Sequence, residues 1–432
     1  MGQTFTEKIL GRASGNGVVQ AGDVVTIEPD VILSHDNTAG ISKLFAELPH
    51  QRVKYPDRLA ITLDHAAPPP TPTHARNQQI VREFVQQHGV TNFFEIGRGI
   101  CHQVLCEELI VTAGMTIAGA DSHTPHFGWL GAFGVGVGRS EIAALWATGE
   151  LWLRVPETIR VTLRGRMNEW VTAKDFSLYL IGQLSAEGAN YKAVEFDGEG
   201  VVNMTAESRM VLPNMMAEMG AKNAYIAPDQ VVWDWLNQQM IRQGKTATER
   251  AERLQHIQAH ALYSDEDATY EAHHTFDLEE IVPSVACPHM VDQWKPVTEL
   301  TQQAVDVGFI GTCTNGRLED LAVAAHVLRG KRLQKRLIVV PASAQVMEDA
   351  ARLGYVADLV QAGATFGVPG CGPCMGNHMG VLAPHEVCIS SANRNFQGRM
   401  GEKEAFIYLA SPAVVAASAL TGLITHPAEV MN

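Results

Sequence analysis

AVDVGFIGTCTNGRLEDLAVAAHVLRG, residues 304–330, decides the fold. Its first eight residues form a short apolar run that reads as a buried strand, TCTNG turns, and apolar residues then recur at helical spacing until Gly330 stops them. The unit returns downstream, where RLIVVPAS leads into AQVMEDAARLG, and ATFGV and EVCIS are further apolar runs followed by polar, glycine-bearing loops. Strands alternating with helices specify a parallel α/β domain.

The N-terminal third has the same character. RLAITL runs into DHAAPPPTPTHARNQQIVREFVQQHG, TNFFEI into GRGICHQVL, and MTIAGA into DSHTPHFGWLGAFGVGVG. The middle differs: LWLRVPETIRVTLRGRM reads as extended segments, and ERAERLQHIQAHALYSDEDATYEAHHTFDLEEIVP as a charged helix followed by an acidic, loop-like bridge. Boundaries near 155 and 297 divide the chain into three α/β units, 1–155, 156–297 and 298–432.

A chain of 432 residues exceeds what one hydrophobic core serves. No stretch approaches the roughly 20 apolar residues of a membrane span, and MGQTFTEKILGRASG lacks the apolar centre of a signal peptide, so a soluble, cytoplasmic protein is expected. The net charge of −14, with no run of basic residues, argues against nucleic acid as a partner. Any anionic ligand must therefore meet locally placed arginines. Seven cysteines, an odd number, point to reduced thiols rather than a disulfide framework.

Open α/β sheets bind ligands beyond the carboxyl ends of their strands. By that rule Cys313, which follows VGFIG, and Cys371 and Cys374, which follow ATFGV, converge on one crevice. Cys101, Cys106, Cys287 and Cys388 read as small packed side chains. The CxxC of GVPGCGPCMGNHMG, residues 367–380, is compatible with a redox dithiol, with zinc if His378 joins as a fourth ligand, and with an iron–sulfur cluster. Three thiolates without an obvious fourth fit a [4Fe-4S] cluster with one iron open to substrate. Asp64-His65, His102 and Asp121-Ser122-His123 follow predicted strands, and such Asp/His pairs are what proton transfer to a departing hydroxyl requires.

The motifs GTCTNG, GCGPC, GADSHT and SANRNFQGR together resemble the aconitase superfamily, in the manner of the large subunits of its two-chain isopropylmalate and homoaconitate dehydratases. The likeness runs from LSHDNTAG to TGLITHP, nearly the whole chain. It implies a three-domain core of α/β/α units around a central cleft, lacking the family's swivelling domain. It implies Cys313, Cys371 and Cys374 as cluster ligands, with Asn214 and Asn393 beside the cluster. It also implies Asp64, His65, His102, Asp121, His123 and Glu218 as the catalytic set, and His35, Ser122, Arg394 and Arg399 as substrate contacts. His35 stands where the single-chain aconitases carry a glutamine, so the substrate need not be citrate. The implied activity is that of a hydro-lyase isomerising 2-isopropylmalate and 3-isopropylmalate, with homoaconitate and 2,3-dimethylmalate chemistry as neighbours. A small subunit would supply the swivelling domain and its serine base. A non-catalytic metal- or RNA-binding relative is the reading from another class.

Overall fold

The run LAIT, residues 59–62, is buried at every position, and so are VILS at 31–34 and TIAG at 116–119. Continuous apolar strands of this kind belong to parallel sheets covered by helices on both faces, since an alternating pattern would leave one face wet. The computed structural model describes residues 2–49 and 51–431. It contains three such sheets and a two-stranded antiparallel ribbon, Val24–Ile27 with Leu151–Arg154.

The first sheet has five parallel strands in the order Asn92–Phe94, Leu59–Thr62, Val31–Ser34, Thr116–Gly119, Phe133–Gly136. The middle sheet runs Asn223–Ile226, Ala193–Asp197, Thr158–Arg164, Ala272–Asp277, again parallel. In the third sheet the parallel strands lie in the order Thr365–Phe366, Arg336–Val339, Val307–Ile310, Val387–Ser390, Phe406–Ala410. An antiparallel pair, Ser284–Ala286 and Trp294–Pro296, extends its edge. Each sheet starts at an inner strand, steps twice to one side and then returns to the other side of that first strand. All three thus have a switch point beside their first strand, where a crevice opens at the carboxyl ends.

One expectation needs correction. The acidic segment after the helix Ala247–His260 is not all loop: Ala272–Asp277 completes the middle sheet by pairing with Thr158–Arg164. Half-buried and exposed residues alternate along it, as an edge strand with one wet face requires, and Phe276 packs edge-on against Phe176 at 5.8 Å.

One apolar cluster joins the three sheets, drawing on Leu33 of the first, Val194 of the middle one and Phe309 and Leu409 of the third, together with Phe127 and Phe176. Separate clusters back the outer faces of the first and third sheets. Cys101, Cys313, Cys371 and Cys374 belong to the shared cluster, so the crevice is floored by the packing that holds the three sheets together.

Candidate active site

The switch point of the first sheet builds one wall. The loop after Val31–Ser34 carries His35, the loop after Leu59–Thr62 carries Asp64 and His65, and the loop after Thr116–Gly119 carries Asp121, Ser122 and His123. Asp64 Oδ1 lies 2.7 Å from His65 Nδ1, while Oδ2 accepts the Cys101 backbone N–H at 2.7 Å. Asp36 accepts the N–H groups of Asp64 and His65 at 2.9 and 2.7 Å, which fixes this turn. The His65 ring stacks on His35 with centroids 3.8 Å apart.

Asp121 is the hub of the wall. One of its oxygens is 3.5 Å from His65 Nε2 and 3.9 Å from His35 Nε2. The other is 3.4 Å from His102 Nε2 and 3.5 Å from His123 Nδ1, and accepts the His123 backbone N–H at 2.8 Å. His102 comes from the helix Cys101–Glu107.

Burial opposes charge throughout this wall, and the partners decide the outcome. It pulls the His65 imidazole down, yet Asp64 and Asp121 more than compensate and hold it well above the ordinary histidine value. Burial and the charge of His65 push His35 down to about 4, leaving it neutral, with Nε2 placed to accept from the Asn37 amide at 2.8 Å. Burial raises Asp121, but His102, His123 and His65 bring it well below the usual carboxylate range. The wall therefore holds a charged imidazolium, His65, between two carboxylates.

A chain of contacts then runs from the loops of the first sheet to those of the third. His123 Nε2 is 2.7 Å from Glu218, in the turn Ala217–Met219, and Glu218 accepts from Arg394 Nε at 2.9 Å. Burial raises Glu218, while Arg394 and His123 lower it further, so it stays ionised.

The switch point of the third sheet builds the opposite wall. Cys313 follows Val307–Ile310 after Thr312, whose φ of +77° is unusual for a β-branched residue and marks a strained approach. Arg317, itself buried, fastens this loop by donating to the carbonyls of Cys313 and Thr314, both at 2.5 Å. Asn214 Oδ1 accepts from Thr314 Oγ1 at 2.8 Å. Asn393, from the loop after Val387–Ser390, spans two thiols: its amide donates to Cys313 Sγ at 3.4 Å, and its oxygen lies 3.7 Å from Cys374 Sγ. Arg399 Nη2 is 3.6 Å from Cys374 Sγ. Behind the wall the buried Lys174 places Nζ 3.2 Å from the Ser391 carbonyl and 2.5 Å from that of Ala392. Burial pushes this amine down to about 7 against the pull of Glu218, Cys313 and Cys374.

The walls meet at their base. Cys371 N–H donates to the Asp64 carbonyl at 2.8 Å, and a Cβ on Gly370 would come within 2.6 Å of the same oxygen. Close passage of the CxxC loop beneath Asp64 thus requires glycine at 370. Ile100 N–H likewise donates to the Ala342 carbonyl at 2.8 Å.

Between the walls lies a cleft of about 260 Å³. Cys313, Cys371, Cys374, His35, His65, His102, Asp121, Ser122, His123, Asn393, Arg394 and Arg399 all line it. Of the residues singled out from sequence, Asp64, Asn214 and Glu218 stand just behind, bonded to groups that do. His378 is not part of the lining, so the cleft wall itself does not offer the fourth ligand that a closed zinc site would want. Cys106, Cys287 and Cys388 also lie elsewhere, whereas Cys101 sits with Sγ 3.3 Å from His102 Nδ1. Asp36, Arg139, Lys174 and Arg317 escaped the sequence reading; Asp36 and Lys174 act on loops distant in the chain, and Arg317 on the two carbonyls just before it.

The donor set has two parts. Cys313, Cys371 and Cys374 are free, buried thiols. Burial raises Cys313 to about 12, whereas Cys374, hydrogen-bonded by Cys371 and flanked by Arg399, is held low. Three soft donors on one wall, with glycine giving close backbone approach, fit an iron–sulfur cluster. Separately, ligand atoms of His35, Asp36, Asp64 and His65 lie within 4.8 Å of one another, a group that could hold a metal ion, although hydrogen bonds already engage both its carboxylates.

The sequence profile of the aconitase family (aconitate hydratase) matches residues 7–304 and 289–422. The chain belongs to the aconitase family. This aconitase-family chain is a hydro-lyase of the large-subunit type, and curated relatives resemble it over nearly their whole length. It is 47% identical to the probable methanogen homoaconitase large subunit of Methanosarcina mazei, over 93% of this chain and 99% of that one. Identity is 44% with the homoaconitase large subunit of Thermus thermophilus, covering 99% and 98%. It is also 44% with the 3-isopropylmalate dehydratase large subunit of Herpetosiphon aurantiacus, covering 100% and 98%. The fold alone is shared with aconitase X of Thermococcus kodakaraensis, at a TM-score of 0.50 and 16% identity over 88% and 89% of the chains. Among the described residues of this family member, no helix is long and apolar enough to cross a membrane.

Proposed function

We propose that this chain is the cluster-binding large subunit of a two-chain hydro-lyase of homoaconitase type, which moves a hydroxyl between neighbouring carbons of a hydroxy-polycarboxylic acid by dehydration and rehydration. The observation that carries the reading is the pairing of walls across one cleft, three thiols with Asn393 on one side and Asp121 with four histidines on the other. The homoaconitase large subunits at 47% and 44% identity favour this substrate class. The 3-isopropylmalate dehydratase large subunits, at up to 44%, keep 2-isopropylmalate as the second reading.

Cys313, Cys371 and Cys374 would hold the [4Fe-4S] cluster, with Asn393 and Asn214 bracing the thiols and their loop. When bound, the cluster supplies a Lewis-acidic iron that polarises the bond to the leaving hydroxyl. His65 carries the proton at Nε2 that this hydroxyl needs to depart as water, and Asp64 orients the ring from Nδ1. Asp121 keeps His102 and His123 aligned. Removing a proton next to a carboxylate builds negative charge there, and Arg394 and Arg399 stand ready to receive it. The base that takes this proton is the serine of a small subunit, the partner that completes the site, and Ser122 and His35 contact the bound acid.

Anaerobic co-purification with the small subunit tests the reading. About four irons per chain and turnover of homocitrate above isopropylmalate, citrate and dimethylmalate are expected. Inactivity with all four acids, or a colourless protein holding one zinc, would defeat it.

A further inference from the structure

Arg139 is the first residue of the helix Arg139–Thr148 and follows the first sheet's edge strand, Phe133–Gly136. The sheet therefore delivers it to the same crevice as His35, His65 and Asp121, and its side chain lines the cleft. The guanidinium rests over Gly40, with Nη1 3.5 Å from where a Cβ on that glycine would stand.

Three arginines line the cleft, and they are not equivalent. Arg394 is committed to Glu218 at 2.9 Å. Arg399 is mostly buried, with one guanidinium nitrogen 3.6 Å from Cys374 Sγ and its buried Nε unpartnered. Arg139 is exposed and, among the described residues, makes neither an ion pair nor a side-chain hydrogen bond. The fold has tied Arg394 and Arg399 to the reacting end of the cleft and left one cation unpaired at the mouth.

We infer that Arg139 is a specificity-determining residue that pairs with a third carboxylate, carried on the arm of the substrate that does not react. The inference rests on the hydro-lyase reading above and narrows its substrate class to hydroxy-tricarboxylic acids. A guanidinium takes a carboxylate through two parallel N–H bonds, a geometry an alkyl branch cannot reproduce. The rim beside Arg139 offers Asn37, Ser122 and Gly138, with Val137 and Ala120 as its apolar members. An isopropyl branch placed there would strip water from the cation and give nothing back, so the same residue that attracts a triacid discriminates against a branched diacid.

The test compares wild type, R139A and R139K, each reconstituted anaerobically with the small subunit, by calorimetric titration with two acids lacking the reactive hydroxyl. Tricarballylate carries three carboxylates, and isopropylsuccinate carries two and an apolar branch. Wild type is expected to favour tricarballylate by about tenfold or more, R139A to erase most of that preference and R139K to retain part of it. Equal affinities in wild type, no binding of tricarballylate, or a ratio that R139A leaves unchanged would overturn the assignment. Turnover of hydroxy acids and iron content judge the hydro-lyase reading separately, so an inactive wild type defeats that reading while the titrations still decide Arg139.

Discussion

The first and third sheets share one strand order and one switch point, yet they bring opposite chemistry to the cleft. The loops of the first are self-satisfying, because Asp36, Asp64 and Asp121 find backbone N–H groups or imidazoles within the same sheet. Those of the third are not. Cys313 is pushed up to about 12 because burial and the charge of Asp121 raise the thiol by more than Asn214 and Arg317, four residues on, lower it. Geometry common to both sheets therefore fixes where a residue acts, and the loop sequence alone decides what it does. The acid and histidine wall carries its counter-charges as folded, whereas the thiols opposite would shed their protons to a metal if one bound there.

The sharpest way to break this contrast is at the thiols. Cys371→Ser is expected to lose the bound iron and its visible absorption and to drop turnover to background, with the fold and the histidine wall intact by circular dichroism. Asp121→Asn should do the reverse, keeping iron content and absorption while kcat falls about 10²–10⁴-fold, since every imidazole on that wall loses its common anion. Arg394→Lys removes the planar fork while keeping the charge; KM for the acid is expected to rise about tenfold with iron retained, as steady-state kinetics would report.

The smallest expected effect is on the pH profile of stability. His65 holds its proton more firmly folded than unfolded, so its ion pairs stabilise fully below about pH 6.5 and that stabilisation is lost as pH rises through the raised folded value. The depressed carboxylates Asp64 and Asp121 act in the opposite sense, stabilising above about pH 4 and losing the effect as pH falls through their folded values. His65→Gln is therefore expected to flatten the alkaline limb of a plot of urea midpoint against pH. An unchanged limb would mean that the imidazole is neutral in the fold.

Most of this architecture was legible because its strands are covered on both faces and read as unbroken apolar runs, as in VGFI and LAIT. Since ligands gather beyond strand ends, the residues after those runs also marked the cleft. The strand Ala272–Asp277 was hidden because an edge strand with one wet face looks like polar loop when acids flank it. Phe133–Gly136, half glycine, gives almost no strand signal, and Arg139 just beyond it went unnoticed for that reason. Lys174 opens a helix with a Thr172–Asp175 capping box, a setting in which lysine usually faces water. Met215 and the loop carbonyls of Ser391 and Ala392, all far off in the chain, pack over its amine and bury it. Asp121 stands in the sequence beside His123 alone, and its reach to His35, His65 and His102 depends on loops far apart in the chain.

The hydrogen bond from Cys371 to the backbone of Asp64, and its neighbour from Ile100 to Ala342, fuse two jaws at their root. Jaws joined there can part only at the tips. A displacement of the CxxC loop is accordingly passed straight to the backbone that carries Asp64 and His65.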